Sequence, residues 1–322
     1  MNKVKKRGRG MFVFACILAF VISFAGSTVF KMVYTSPEMR KYTVEWSKEI
    51  GTAYTDRSYG EGAANKFDLY VPADRSKQTY GLIVYLHAGG FTTGDKADDA
   101  KMLQWLCSLG YVTAGINYTL FNEENPYANI DTQSMEIKKS IPFVIEEAER
   151  LGYQIDRMAM SGGSAGGCLA LLYAYRDAAE SPVPVKMVFE GVGPSSFYPE
   201  DWKCYGFDQN AEAAAGLFSQ MTGKAITADM FGTPEYDELV KDVSALYWVN
   251  ENTVPSVLAY GVHDKFQPYE GSARLAAALT ENGVPHEYIV FEHSGHGLQN
   301  DNKQMIAYSE AILDYLDRYM SE

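Results

Sequence analysis

Cysteine is scarce and positive charge is in deficit. Four cysteines in 322 residues are too few for a disulfide-stapled scaffold. With 28 Lys and Arg against 41 Asp and Glu, the chain carries a net charge of −13. That argues against a nucleic-acid binder, because phosphate neutralisation needs basic residues in excess. Proline (12) and glycine (28) stay far below collagen-like or low-complexity usage. No sequence repeat of the kind that builds solenoids or propellers is present. What is present is 47% hydrophobic and 21% charged residues, the makeup of a packed globule rather than a disordered chain. The length admits two domains, but α/β folds of this size often form one unit.

Charge is unevenly placed. Six basic residues (Lys3, Lys5, Lys6, Arg7, Arg9 and Lys31) and no acid fall within residues 1–31. Residues 11–30, MFVFACILAFVISFAGSTVF, are uncharged and mostly apolar. As a helix they would extend roughly 30 Å, the thickness of a bilayer's hydrocarbon core. Basic residues before the apolar run leave the N-terminus on the cytoplasmic side and the body beyond the membrane. The expectation is a leader over 1–33, acting as a transmembrane signal anchor and touching the membrane through residues 11–33, then a tether over 34–53. The alternative is a cleaved signal peptide, with Ser23-Phe24-Ala25 or Ala25-Gly26-Ser27 as cleavage sites and a secreted product. Beyond the membrane, Cys107, Cys168 and Cys204 can form at most one pair. Cys107 and Cys168 sit in apolar helical patterns and are expected as buried thiols.

From residue 54 to 322 the pattern alternates strands and helices. Lys66–Val71 alternates polar and apolar residues, and Gly81–His87 is almost continuously apolar, as in a strand covered on both faces. Tyr111–Tyr118, Met158–Met160, Val185–Phe189, Val254–Tyr260 and Glu287–Phe291 are further strand candidates. Ile137, Ile141, Val144, Ala148 and Leu151 trace one helix face, while Ala165–Tyr175 is apolar nearly all round. Pro268–Asn282 and Asn302–Tyr319 are amphipathic. This alternation predicts an α/β fold with a mostly parallel sheet and helices on both faces. Between Phe189 and Val254 lie about 64 residues, far more than a crossover needs. Residues 196–250 are therefore expected to form a small helical cap over a site.

The chemistry concentrates at four points. Met158–Ser161 leads into Gly162-Gly163-Ser164-Ala165-Gly166, a G-x-S-x-G turn between a strand and a helix. In that context Ser164 is a candidate nucleophile on a strained turn, and the flanking glycines give room to the neighbouring backbone. Ser161 lacks the flanking glycines. A serine needs a base, and the chain holds five histidines. His286 precedes its strand, at the wrong end of a parallel sheet, whereas His293 and His296 follow the last strand. His296, between Gly295 and Gly297, is the better base, leaving His293 as a supporting or surface residue. Asp264, just past a strand end, is the candidate acid that orients the base. For the oxyanion, the loop His87-Ala88-Gly89-Gly90 offers the N–H groups of Gly89 and Gly90, and Ala165 offers a third. His87 is expected to brace that loop.

With these residues in place the sequence resembles the α/β-hydrolases, and within them the esterases with an HGGG-type oxyanion loop, hormone-sensitive-lipase-like and carbohydrate-ester hydrolase-like. The resemblance runs over about residues 55–320 through KFDLYVP, YLHAGGFTTGDK, GYVTAGINYTL, GGSAGG, GVHDKFQP and HSGHG. It implies Ser164 as nucleophile, Asp264 as acid, His296 as base, and Gly89, Gly90 and Ala165 as oxyanion donors, with no metal and no organic cofactor. Ala88 stands where the family's loop often has glycine. The implied activity is a serine carboxylesterase acting on short-acyl or carbohydrate-linked esters outside the cytoplasm. A peptidase of the same fold and a catalytically inactive surface binding protein are the alternatives.

Overall fold

A computed structural model describes residues 38–321. The leader expected over residues 1–33 lies outside the described residues, and among those described no helix is long and apolar enough to cross a membrane. The chain divides into two compact units, Met1–Thr43 and Val44–Glu322. The described part of the first holds a 3-10 turn, Met39–Tyr42. The second carries all that follows.

Its elements run β1 (Gly51–Ser58), β2 (Lys66–Pro72), β3 (Tyr80–Leu86), α1 (Ala100–Ser108), β4 (Val112–Ile116), α2 (Ile130–Arg150), β5 (Ile155–Gly163), α3 (Ala165–Leu172), β6 (Val185–Gly191), α4 (Ala211–Thr222), α5 (Pro234–Val240), β7 (Ser256–Gly261), α6 (Tyr269–Glu281), β8 (His286–Phe291) and α7 (Asn302–Met320). The strands form one sheet in the order β1-β2-β4-β3-β5-β6-β7-β8. β1 and β2 are antiparallel to their neighbours, and every pairing from β4 to β8 is parallel. This is the open, mostly parallel sheet of the α/β-hydrolases.

The central strands are buried on both faces. Leu82, Ile83, Val84 and Leu86 of β3 have no exposed surface, and each buried side chain of this size stabilises the fold by about 1.5–3 kcal/mol. Leu82, Val84 and Leu86 pack with Ile137, Ile141 and Val144 of α2 and with α3. Tyr85 points the other way, toward Tyr70 and the cluster built on Leu103 and Cys107 of α1. α2 starts where Asn129 and Thr132 close a reciprocal capping box, which satisfies two N–H groups left free at a helix start. All eight residues of α3 are buried, so this helix lies inside the molecule.

Two boundaries differ from the sequence reading. The segment expected as a tether over 34–53 contains the start of β1, whose first residue is Gly51. β1 is an edge strand with mostly exposed residues, so it lacks the apolar alternation that marks a covered strand. The helix expected to run through Tyr175 is α-helical only to Leu172 and continues as a π turn over Tyr173–Asp177. Cys107 and Cys168 are buried free thiols and Cys204 is an exposed one.

Between β6 and β7, residues 196–250 form α4, α5 and several 3-10 turns. They share an aromatic core in which the rings of Trp202 and Phe218 lie 5.5 Å apart and those of Phe207 and Phe218 5.9 Å apart. The Trp202 indole N–H donates to the Ser196 carbonyl at 2.9 Å.

Candidate active site

Strand β4 flanks β3 on one edge and β5 flanks it on the other, so the strand order reverses at β3. A crevice at the carboxyl ends of the strands follows from that reversal. Ser164 sits at its edge, one residue past β5, with φ 53° and ψ −120°. That conformation is costly for any residue with a Cβ. A Cβ on Gly162 would lie 2.4 Å from the Gly166 carbonyl carbon, and one on Gly166 would lie 1.9 Å from the Leu86 carbonyl oxygen. Both glycines are therefore required by backbone contact. The Ser164 N–H donates to the Gly191 carbonyl at 2.8 Å. Its hydroxyl does not cap α3 and is turned toward a histidine instead.

That histidine is His296. Its Nε2 lies 2.8 Å from Ser164 Oγ and its Nδ1 lies 2.7 Å from Asp264 Oδ2. The second Asp264 oxygen, Oδ1, accepts the N–H groups of Phe266 and Gln267 at 2.8 and 2.9 Å. The carboxylate is thus fixed at both ends and its side chain is 1% exposed. With Nδ1–H donated to Asp264, Nε2 is left free to accept the serine proton. The other histidines stand apart. His263 is exposed, His286 bonds to Val284 and Thr280, and exposed His293 pairs with Asp301.

Neither Gly295 nor Gly297 has a positive φ, and the left-handed residue of the His296 loop is Leu298 at φ 51°. Gly295 serves close approach instead, since a Cβ there would lie 3.1 Å from the His263 carbonyl.

The loop after β3 turns through Gly89, Gly90 and Phe91 at φ 130°, 59° and 67°. A Cβ on Gly89 would lie 2.0 Å from the Thr93 carbonyl oxygen, whereas Gly90 has open space. His87 is buried and stacked on Tyr118, with ring centroids 4.3 Å apart and planes 5° from parallel. Its Nδ1 lies 2.8 Å from the Ala88 carbonyl oxygen, and the Tyr118 hydroxyl donates to the His87 carbonyl at 2.9 Å. Burial holds the His87 imidazole below its usual pKa, so the ring is neutral as it braces the loop.

Ala88, Gly89, Gly90, Ser164, Ala165 and His296 line one cavity of about 520 Å³. Its remaining wall comes from Phe91, Pro194, Phe266 and Gln267, and from Trp202, Tyr205, Leu217 and Met221 of the 196–250 segment. Sequence reasoning did not single out Phe266, Leu217 or Met221. Phe266 is 68% exposed, lies 5.4 Å from the His296 ring, and accepts the Tyr205 hydroxyl on its carbonyl at 3.1 Å. Its only signal in sequence is an aromatic residue two places after the acid.

The site can perform acyl transfer. It offers an oriented hydroxyl and a base held in one tautomer, with a glycine loop and a helix start lining the same space.

Comparison with known proteins agrees with this geometry. The family described as BD-FAE matches residues 67–279. A probable isoprenylcysteine alpha-carbonyl methylesterase of Oryza sativa subsp. japonica is 24% identical over 248 residues, covering 74% of this chain and 56% of that protein. Ethyl acetate hydrolase of Pseudomonas putida is 23% identical over 259 residues, covering 76% of each chain. The chain spans 56%, 27% and 44% of the length of three curated relatives that it matches. Inhibited esterase B from Lactobacillus rhamnosis shares the fold, with a TM-score of 0.65 and 21% identity over 93% of this chain and 96% of that one. Strand order, nucleophile turn and family match converge on one assignment: the chain is an α/β-hydrolase and belongs to the BD-FAE family.

Proposed function

We propose that the chain is a serine carboxylic-ester hydrolase working through an acyl-enzyme. The observation that carries this is the unbroken line from Asp264 through His296 to Ser164, with contacts of 2.7 and 2.8 Å, opening on an apolar-walled cavity. Ser164 Oγ attacks the ester carbonyl as His296 Nε2 takes its proton. The oxyanion is held by the N–H groups of Gly89, Gly90 and Ala165. His296 returns the proton to the leaving alcohol, then draws one from the water that releases the acid. Asp264 keeps the imidazole in the required tautomer and stabilises its charged form.

The substrates that suit the site are short-acyl or carbohydrate-linked esters. A cavity of about 520 Å³ suits a small ester, and its Trp202, Tyr205 and Phe266 faces suit contact with the apolar surface of a sugar or a short chain. The basic, then apolar, leader supports a single-pass anchor with the catalytic body beyond the membrane, or secretion after cleavage. Retention of full-length chain in carbonate-washed membranes is expected for the anchor, and a mature N-terminus near Gly26 would overturn it.

The decisive experiment is Ser164→Ala. This variant should fold normally, lose hydrolysis of p-nitrophenyl acetate by at least about 10⁴, and lose fluorophosphonate labelling. Labelling that survives would remove Ser164 as the nucleophile. A wild type that neither labels nor hydrolyses esters would favour the binding-protein alternative.

A further inference from the structure

One buried acid takes no part in that proton path. Glu190 is the penultimate residue of β6 and pairs in register with Gly162 of the nucleophile turn. It has no exposed surface. Its Oε2 accepts the Gly193 N–H at 2.8 Å, while its Oε1 is buried without a partner. The Tyr260 hydroxyl donates to the Gly193 carbonyl at 2.7 Å and neighbours the Glu190 carboxyl without hydrogen-bonding to it. Both polar groups of Gly193 are therefore held by this acid and this phenol. The fit is close, since a Cβ on Gly167 of α3 would lie 2.7 Å from Glu190 Oε2 and one on Gly193 would lie 2.7 Å from the Cys168 nitrogen.

What the pair holds is the turn Gly191–Pro194, and this turn touches the nucleophile, the histidine loop and the cavity wall. The Gly191 carbonyl accepts the Ser164 N–H at 2.8 Å. A Cβ on Gly191 would be 3.7 Å from Leu298, on the loop that carries His296. Pro194 lines the substrate cavity. Between them Val192 sits at φ 52°, a conformation that a β-branched residue adopts only when its surroundings impose it.

We propose that Glu190 is a positioning residue that fixes the Gly191–Pro194 turn against the nucleophile and the histidine loop, and that it does so only as the neutral acid. The proposal rests on the ester-hydrolase reading of the site. Its physical basis is a proton count. A phenol has one proton to donate. With Glu190 neutral, that one Tyr260 proton stays on the Gly193 carbonyl. Once Glu190 is charged, the carboxylate competes for the Tyr260 proton, and the Gly193 carbonyl loses its donor. An unpartnered buried oxygen is tolerable on a neutral acid and costly on a carboxylate. The titratable groups that bear on Glu190 are Tyr85 of β3, Cys168 of α3, Tyr175 of the following turn, Tyr260 of β7, Tyr288 of β8 and Tyr308 of α7. All six are weak acids held neutral, and none supplies a positive charge. Burial accordingly pushes the Glu190 carboxyl up to about 8.

The test compares wild type with Glu190→Gln between pH 7 and 9, by the rate of fluorophosphonate labelling and by kcat and KM for p-nitrophenyl acetate. Glutamine reproduces the neutral acid, with a carbonyl oxygen to accept the Gly193 N–H, and cannot ionise. The wild-type labelling rate and kcat should fall about tenfold across that range, as expected for one group titrating near 8, with KM changed less than about twofold. Glu190→Gln should hold both within about twofold. An equal fall in the two proteins, or no fall in wild type, overturns the proposal while leaving the hydrolase reading intact. No labelling of either protein at any pH removes the hydrolase reading and this proposal with it.

Discussion

His293 and His296 lie three residues apart, and each is paired through Nδ1 with a different aspartate: His293 with Asp301 at 2.8 Å, His296 with Asp264 at 2.7 Å. The two pairs look alike on paper and differ in where the second ring nitrogen goes. Nε2 of His296 meets Ser164 at 2.8 Å, while the His293 side chain is 75% exposed. Asp301, hydrogen-bonded to His293, holds that imidazole above the usual histidine range, which suits a surface pair and disfavours a base that must begin neutral. His296→Ala should lose activity by at least about 10² to 10⁴, and His293→Ala should stay within about tenfold of wild type. Kinetics of the two variants on one ester decide it, and a dead His293→Ala beside an active His296→Ala would reverse the assignment.

Glycines 166 and 90 serve the site in different ways. A Cβ on Gly166 would lie 1.9 Å from the Leu86 carbonyl oxygen, backbone that cannot move aside, whereas a Cβ on Gly90 meets nothing within 4 Å. Gly90 is needed only for its φ of 59°, a cost of about 1–2 kcal/mol for alanine. Gly166→Ala should therefore lower unfolding free energy by about 3 kcal/mol or more, and Gly90→Ala by only about 1–2 kcal/mol. Urea unfolding of both variants measures this. Equal losses would mean that the contact between the nucleophile turn and β3 is softer than its geometry implies.

The nucleophile turn, the oxyanion loop and the last two strand ends could be located from sequence because each is a continuous string whose chemistry and backbone needs coincide. Ser164 is flanked by the glycines its own geometry requires, and His87 opens the loop it braces. β1 was less legible, since an edge strand of exposed residues carries no apolar rhythm. Glu190 gave no sign either. A single acid in the apolar run Val185–Gly191 resembles a solvent-facing position, and its burial comes from α3 and β7, whose packing the strand's own pattern does not encode. Leu298 in a left-handed conformation beside two glycines that do not need one reflects how the loop packs on Gly191 and His263, which no local pattern encodes.

The 196–250 segment should set chain-length preference through Leu217 and Met221, one turn apart on α4 and both lining the cavity that holds Ser164. Each methylene of a substrate tail buried against such a wall is worth about 0.8 kcal/mol, or roughly fourfold in kcat/KM. In wild type, kcat/KM for p-nitrophenyl esters should rise from acetate until the tail meets these side chains, then fall. Leu217→Trp fills that space and should move the maximum toward acetate, with loss of about tenfold or more on the longer esters and little change on acetate. Leu217→Ala should move it the other way. Because α4 takes no part in proton transfer, neither change should alter the fluorophosphonate labelling site. Profiles that shift up or down in parallel at every chain length would mean that the substrate tail leaves the cavity by another face and that α4 is packing alone.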